Sequence, residues 1–132
     1  MAGYSKTPLV KKLGIRSADR AIFIGMPASV REEIGRLPVD VEEAKSLRGQ
    51  FDFMHCFCES IRDLEDQMPR LQKALKKTGM LWISWRKGRK NTDLTEGIIR
   101  AAALRNGLVD VKVCAVDETW SGLKLVYRLK DR

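Results

Sequence analysis

The sequence predicts one α/β domain, a mostly parallel, doubly wound sheet that ends in an antiparallel hairpin. Three short apolar runs, RAIFIG (20–25), FDFMHCFC (51–58) and MLWISW (80–85), have the length and composition of strands buried on both faces. Stretches with helical apolar spacing separate them, and the chain closes on two alternating runs. Strands that alternate with helices build a parallel sheet, and a terminal alternating pair adds a hairpin to it.

The elements follow in order. Residues 1–19 read as a helical extension, with Thr7 as N-cap, Pro8 at the first helical position and Gly14 as the stop. After the first strand, Pro27 and Ser29 open a helix to about Leu37. Residues 38–41 (PVDV) suit a short strand, with a weak helical segment reaching Leu47. Beyond the second strand, Ile61, Leu64, Met68, Leu71 and Leu75 form a helical stripe. Pro69 interrupts it, which predicts a kink or two consecutive helices, and Gly79 is the expected end. A basic loop, RKGRKN (86–91), leaves the third strand. The next helix starts at an expected capping box of Asp93 and Glu96 and stops at Asn106 and Gly107. Val109, Val111, Val113 and Ala115, then Leu123, Leu125, Tyr127 and Leu129, make the two arms of the hairpin.

The bulk properties narrow the class. The 132 residues fit one domain, 1–132, and 44% hydrophobic with 32% charged residues is the balance of a globular protein. No apolar run has bilayer length, and MAGYSKTPLVKKLG has no apolar segment of the kind a secretory signal needs. Three cysteines, an odd number within strand-like stretches, suit reduced thiols, so a cytoplasmic location away from membranes is expected. The formal charge of +8 is uneven: residues 31–66 carry a net −5, while residues 70–90 carry eight basic residues and no acid. An acid-free basic stretch attracts phosphate or nucleic acid.

Candidate sites were weighed from residue chemistry. His55, Cys56 and Cys58 have ligand chemistry, but in a strand His55 points opposite to the two cysteines and Cys114 is distant, so no metal site is expected. Cys58 stands where a ligand edge should be, yet the only histidine lies on the opposite strand face, and no catalytic residue can be assigned. The strongest candidate is an anion site on the loop after the third strand: Arg86, Lys87, Arg89, Lys90 and Thr92, with Asp93. A loop between a strand's carboxyl end and a helix N-terminus offers free amides to an anion. Trp82 and Trp85 beside it are core residues by pattern and base-stacking platforms if exposed. Arg70, Lys73, Lys76 and Lys77 fit the solvated face of a helix near its end.

Two resemblances extend this reading. The order of strand, long helix ending LKKTG (75–79), strand, helix and hairpin resembles the second half of S-adenosylmethionine-dependent methyltransferases. It implies a Rossmann-like, three-layer sandwich in which the reversed last strand tucks into a parallel sheet. TPLVKKLGI (7–15), TDLTE (92–96) and VKVCAVDETWSGLKL (111–125) resemble a family of small bacterial proteins of unknown function, over nearly the whole chain. The methyltransferase resemblance implies a cofactor turn at Gly25, Pro27 and Ser29, and a ribose-holding acid among Asp40, Glu42 and Glu43, with Glu42 as the first choice. The chain departs from that pattern. GMPAS (25–29) keeps one glycine of the turn and spends an amide on Pro27, and residues 26–50 leave room for at most one short strand. The expected function is therefore a non-catalytic methyltransferase-like domain that binds a protein or an anionic ligand and carries no cofactor. The alternatives are an active methyltransferase using S-adenosylmethionine with an atypical loop, and a nucleic-acid-binding module built on residues 70–90.

Overall fold

The structure, a computed structural model, describes residues 7–88 and 93–132. In chain order the elements are α1 (Leu9–Leu13), β1 (Arg20–Ile24), α2 (Ala28–Ile34), β2 (Glu42–Ala44), β3 (Phe51–Phe57), α3 (Ile61–Ala74), β4 (Leu75–Arg86), α4 (Glu96–Arg105), β5 (Leu108–Ala115) and β6 (Trp120–Tyr127), followed by a 3-10 turn at Leu129–Asp131. The strands form one sheet in the order β2-β1-β3-β4-β6-β5. β2, β1, β3 and β4 are parallel, and β6 runs antiparallel to both β4 and β5. The reversed last strand thus sits inside the sheet, and the expected architecture stands.

Strand alternation sorts the core into two layers. Ile22, Met54, Cys56, Leu81, Ile83, Leu123 and Leu125 face α3 and α4, against Leu64, Met68, Leu71, Ile99 and Ala103. Ala21, Phe53, Phe57, Trp82 and Trp120 face α1 and α2, against Leu9, Leu13, Val30 and Ile34. Phe51 joins the α3 side although Phe53 does not, because the β3–β4 register slips between them. Trp82 anchors α1 directly: its Nε1 donates to the Leu13 carbonyl at 2.8 Å.

Several boundaries differ from expectation. Pro8 is itself the N-cap of α1, since its extended φ and ψ lie outside the helix. α2 stops at Ile34, where Gly35 takes a positive φ, instead of reaching Leu37. Residues 38–41 turn through Asp40 at a φ of 62°, and the strand forms one step later at Glu42–Ala44, where a helix was expected. Pro69 lies inside one continuous α3, so neither a break nor a second helix start occurs. That helix ends at Ala74. Residues 75–79 already belong to β4, so Lys76 and Lys77 are strand residues. The cap of α4 is Thr95, whose hydroxyl accepts from Ile98 N, and Asp93 instead accepts from Ile61 N across the α3 start.

One connection shapes the ligand edge. The chain passes from β2 over β1 to β3 in residues 45–50 without a helix. Parallel crossovers ordinarily take a dozen or more residues and a helix that covers the sheet. Here an extended strap does the covering, with Leu47 packed beside Ile24 and Ala44 on the α3 layer.

Candidate functional site

In an open parallel sheet, ligands bind beyond the carboxyl ends of the strands, where the strand order reverses. That point lies between β1 and β3, at Gly25 and Phe57. Gly25 has a φ of +69°, and a Cβ there would stand 3.2 Å from the Phe57 carbonyl oxygen. Glycine is required twice over, for the left-handed turn and for the close passage of β3. Pro27 follows as the N-cap of α2 with no side-chain cap, and Ser29 is exposed within the first turn of that helix. The turn keeps the expected sharpness with a single glycine.

Beside it lies a groove of about 340 Å³, lined by Ile22, Phe23, Ile24, Gly25, Lys45, Leu47, Gln67 and Arg70. The strap is its outer wall and α3 its inner one. A helix-covered crossover would fill this space, so the groove follows directly from the shortness of residues 45–50. Its lining holds two cations and no carboxylate side chain.

The acids expected near the ribose stand elsewhere. Glu42 opens β2 in register with Arg20, the first residue of β1, and takes its Nε at 3.1 Å. It therefore lies at the amino end of the strand, away from the ligand edge. Glu43 is held by both terminal nitrogens of Arg31 on α2, and this guanidinium keeps its carboxyl below the usual range. Asp40 is exposed on the turn before the strand. The first residue past β2 is Lys45. The methyltransferase resemblance pointed to Glu42 as an acid following the second strand; only the one-step shift of β2 reveals the cation at its end.

The basic stretch 70–90 is not gathered on one surface. Arg70 lies in the groove, Lys76 pairs with Asp52 at 3.0 Å near the start of β4, and Lys77 sits over the Tyr127 ring at 4.1 Å. At the other end of β4, Arg86 is paired with Glu59 at 2.8 Å and lies over the Trp120 ring, while Lys87 Nζ donates to the Asp117 carbonyl at 2.6 Å. The other members of the proposed loop site, Arg89, Lys90 and Thr92, lie outside the described residues. Trp82 and Trp85 are both buried and unavailable for stacking on a base.

Neither His55 nor Cys58 is poised for acid–base or nucleophilic work. His55 is fully buried, its Nε2 bonded to Ser84 Oγ at 2.7 Å, and desolvation pushes its pKa down to about 3. Cys58 is buried with its sulfur 3.9 Å from that of Cys56; this contact and then desolvation push its thiol well above the ordinary range. A nucleophilic cysteine needs the opposite shift. Among the described residues no group of three or more His, Cys, Asp or Glu side chains could hold a metal ion, and no helix is long and apolar enough to cross a membrane.

Several solved structures that share this fold are methyltransferases. The ribosomal protein L11 methylase of Lactobacillus delbrueckii subsp. bulgaricus superposes with a TM-score of 0.61 at 13% identity, over 91% of this chain and 75% of that one. The magnesium protoporphyrin IX methyltransferase of Synechocystis PCC 6803, solved with bound SAM, gives 0.60 at 13% identity, over 91% and 74%. A putative methyltransferase from Thermoplasma acidophilum gives 0.60 at 8% identity, over 95% and 76%. At such identities the likeness is one of fold. No curated protein matches the chain. The family model that does match, over residues 26–129, is described as "Protein of unknown function (DUF3052)", and this chain belongs to that family.

Proposed function

We propose that this chain is a non-catalytic methyltransferase-like domain that holds an anionic ligand in the groove between α3 and the strap. The observation that carries the reading is the pair Lys45 and Arg70 in a lining without a carboxylate side chain. A carboxylate at the end of β2 would accept hydrogen bonds from ribose hydroxyls; an ammonium there attracts an acidic group instead. Ile22, Ile24 and Leu47 offer an apolar wall, so a ligand with a flat ring and a phosphate or carboxylate suits the groove. The buried, neutral His55 and the protonated Cys58 are set up for neither acid–base nor nucleophilic work, which supports a binding role.

The test is a thermal shift with AMP, S-adenosylmethionine and S-adenosylhomocysteine, on the intact chain and on Lys45→Glu and Arg70→Glu. A ligand at ~100 times its Kd stabilises by about 2.7 kcal/mol, which moves the midpoint by several degrees. AMP is expected to raise the midpoint of the parent chain and to lose that effect in both variants. A second reading, S-adenosylmethionine-dependent methylation, is favoured by the fold shared with an enzyme solved with bound SAM. A shift given by S-adenosylmethionine and S-adenosylhomocysteine but not by AMP would establish that reading and sink the first.

A further inference from the structure

The opposite edge of the sheet carries a second concavity. It measures about 460 Å³ and is lined by Gly14, Arg16, Lys77, Thr78, Gly79, Met80, Lys124, Val126 and Arg132. These residues come from the α1–β1 loop, the first half of β4, the last half of β6 and, for Arg132, the residue after the 3-10 turn, so the cleft opens at the amino ends of the parallel strands. Four of the nine linings are cationic, and none is Asp or Glu.

Those four cations form no ion pair among the described residues, although Arg16 lies near enough to Asp52 to help lower its pKa. Elsewhere Arg20, Lys76, Arg86, Arg100 and Arg128 each pair with a carboxylate. Lys77 has its ammonium on the Tyr127 ring, on the α3 side of the sheet, and Arg132 Nε donates to the Tyr127 carbonyl at 2.8 Å, so Arg16 and Lys124 are the two cations that act on each other at the cleft. Lone cations spread over a surface are ordinary, but like charges converging on one concavity repel each other and raise the local potential. Lys124 shows the strain: desolvation first, then Lys112 and Arg16, push its pKa below the normal lysine range. Met80 and Val126 give the floor an apolar character, and the volume is that of a small-molecule site.

We propose that this amino-edge cleft binds a small, multiply phosphorylated anion, with Arg16 and Lys124 contacting its phosphates and Lys77 and Arg132 at the rim. A multivalent ligand answers several charges at once, and a cleft of this size suits a compact anion better than an extended nucleic-acid backbone, which needs a stripe. The site is separate from the groove beside Lys45 and does not depend on it.

The experiment is calorimetric titration of the intact chain with inorganic tripolyphosphate, repeated with Arg16→Gln, Lys124→Met and Arg105→Gln. Binding is expected in the parent chain, weakened at least tenfold in Arg16→Gln and in Lys124→Met, and unchanged in Arg105→Gln, which alters an exposed cation in the last turn of α4 that lines neither concavity. Lys124→Met is also expected to melt higher than the parent without ligand, because the like-charge crowding is relieved while side-chain length is kept. That readout shows that the variant is folded. No heat at millimolar tripolyphosphate overturns the proposal. So does an equal loss in all three variants, which would reduce it to net charge. A duplex DNA that binds more tightly than tripolyphosphate and is equally weakened by the cleft variants would also overturn it, in favour of nucleic acid.

Discussion

His55 and Ser84 form a polar pair closed off inside the sheet, with Nε2 2.7 Å from Oγ and both residues fully buried. The ring stacks on Phe57 at 4.2 Å, and Nδ1 has no partner among the described residues. A bare nitrogen lone pair costs less than a bare N–H, so the proton belongs on Nε2, which donates to Ser84. Charging this ring would leave a cation in an aromatic nest, which explains its fall to about 3.

The sign of the pH effect follows. Between the ordinary histidine value near 6.5 and about 3, the unfolded chain takes up a proton that the folded chain refuses. Stability from this group is complete above 6.5 and is lost as the pH falls through that window. From pH 7 to 5 the loss is about 2 kcal/mol, at ~1.4 kcal/mol per pH unit. Urea midpoints measured at both values should show it in the parent chain, and the difference should shrink by that amount in His55→Phe. An identical pH dependence in the variant would mean that the buried-neutral assignment is wrong.

Trp82 is the clasp of the N-terminal layer. Its Nε1 reaches the Leu13 carbonyl at 2.8 Å, at the helix end where a carbonyl would otherwise lack a partner. Trp82→Phe removes the donor and leaves that oxygen buried, at a cost of about 1–3 kcal/mol, with some loss of packing added. Proteolysis near residue 15 should accelerate in the variant before global unfolding does. If the two rates rise together, α1 is not held by this bond.

Much of this fold was legible because burial writes itself into runs. RAIF, FDFMHCF and MLWISW lie on both-face-buried strands, and the terminal alternation placed the hairpin. Boundaries were less visible where tertiary contacts decide. The sequence LKKTG looks like a helix end, yet pairing of Leu75 with Phe51 draws it into β4. EEA is a poor strand by propensity and becomes one because Arg20 and Arg31 bind its two acids across the sheet and from α2. That single shift also moved the candidate site, from Glu42 to Lys45. The amino-edge cleft was invisible because its cations come from positions 16, 77, 124 and 132, which only the reversed β6 brings together.

The cysteines should report the burial pattern directly. Cys56 and Cys58 are closed in the α3 layer, whereas Cys114 is half-buried on the edge strand. Desolvation raises the Cys114 thiol, but Lys12, Lys112 and Lys87 pull it back toward the thiolate. A thiol-reactive disulfide reagent at pH 8 should label Cys114 first, with Cys56 and Cys58 following at the rate of unfolding. Fast labelling of Cys58 in the folded protein would show an accessible thiolate at the ligand edge and reopen a nucleophilic role there.

The same substitution should have opposite signs at two glycines. A Cβ at Gly79 would lie 2.9 Å from the carbonyl oxygens of both Phe51 and Asp52, atoms fixed by the register slip between β3 and β4. Backbone cannot yield cheaply, so Gly79→Ala is expected to cost about 2–3 kcal/mol. Gly97 is exposed in the first turn of α4, and its nearest neighbour for a Cβ is Thr95 Oγ1 at 3.9 Å. There alanine only narrows the unfolded ensemble and favours the helix, a gain of about 0.5–1 kcal/mol. Thermal midpoints should therefore move down in Gly79→Ala and up in Gly97→Ala. A tolerated Gly79→Ala would mean that β3 and β4 are not in the close approach that turns residues 75–79 from helix end into strand.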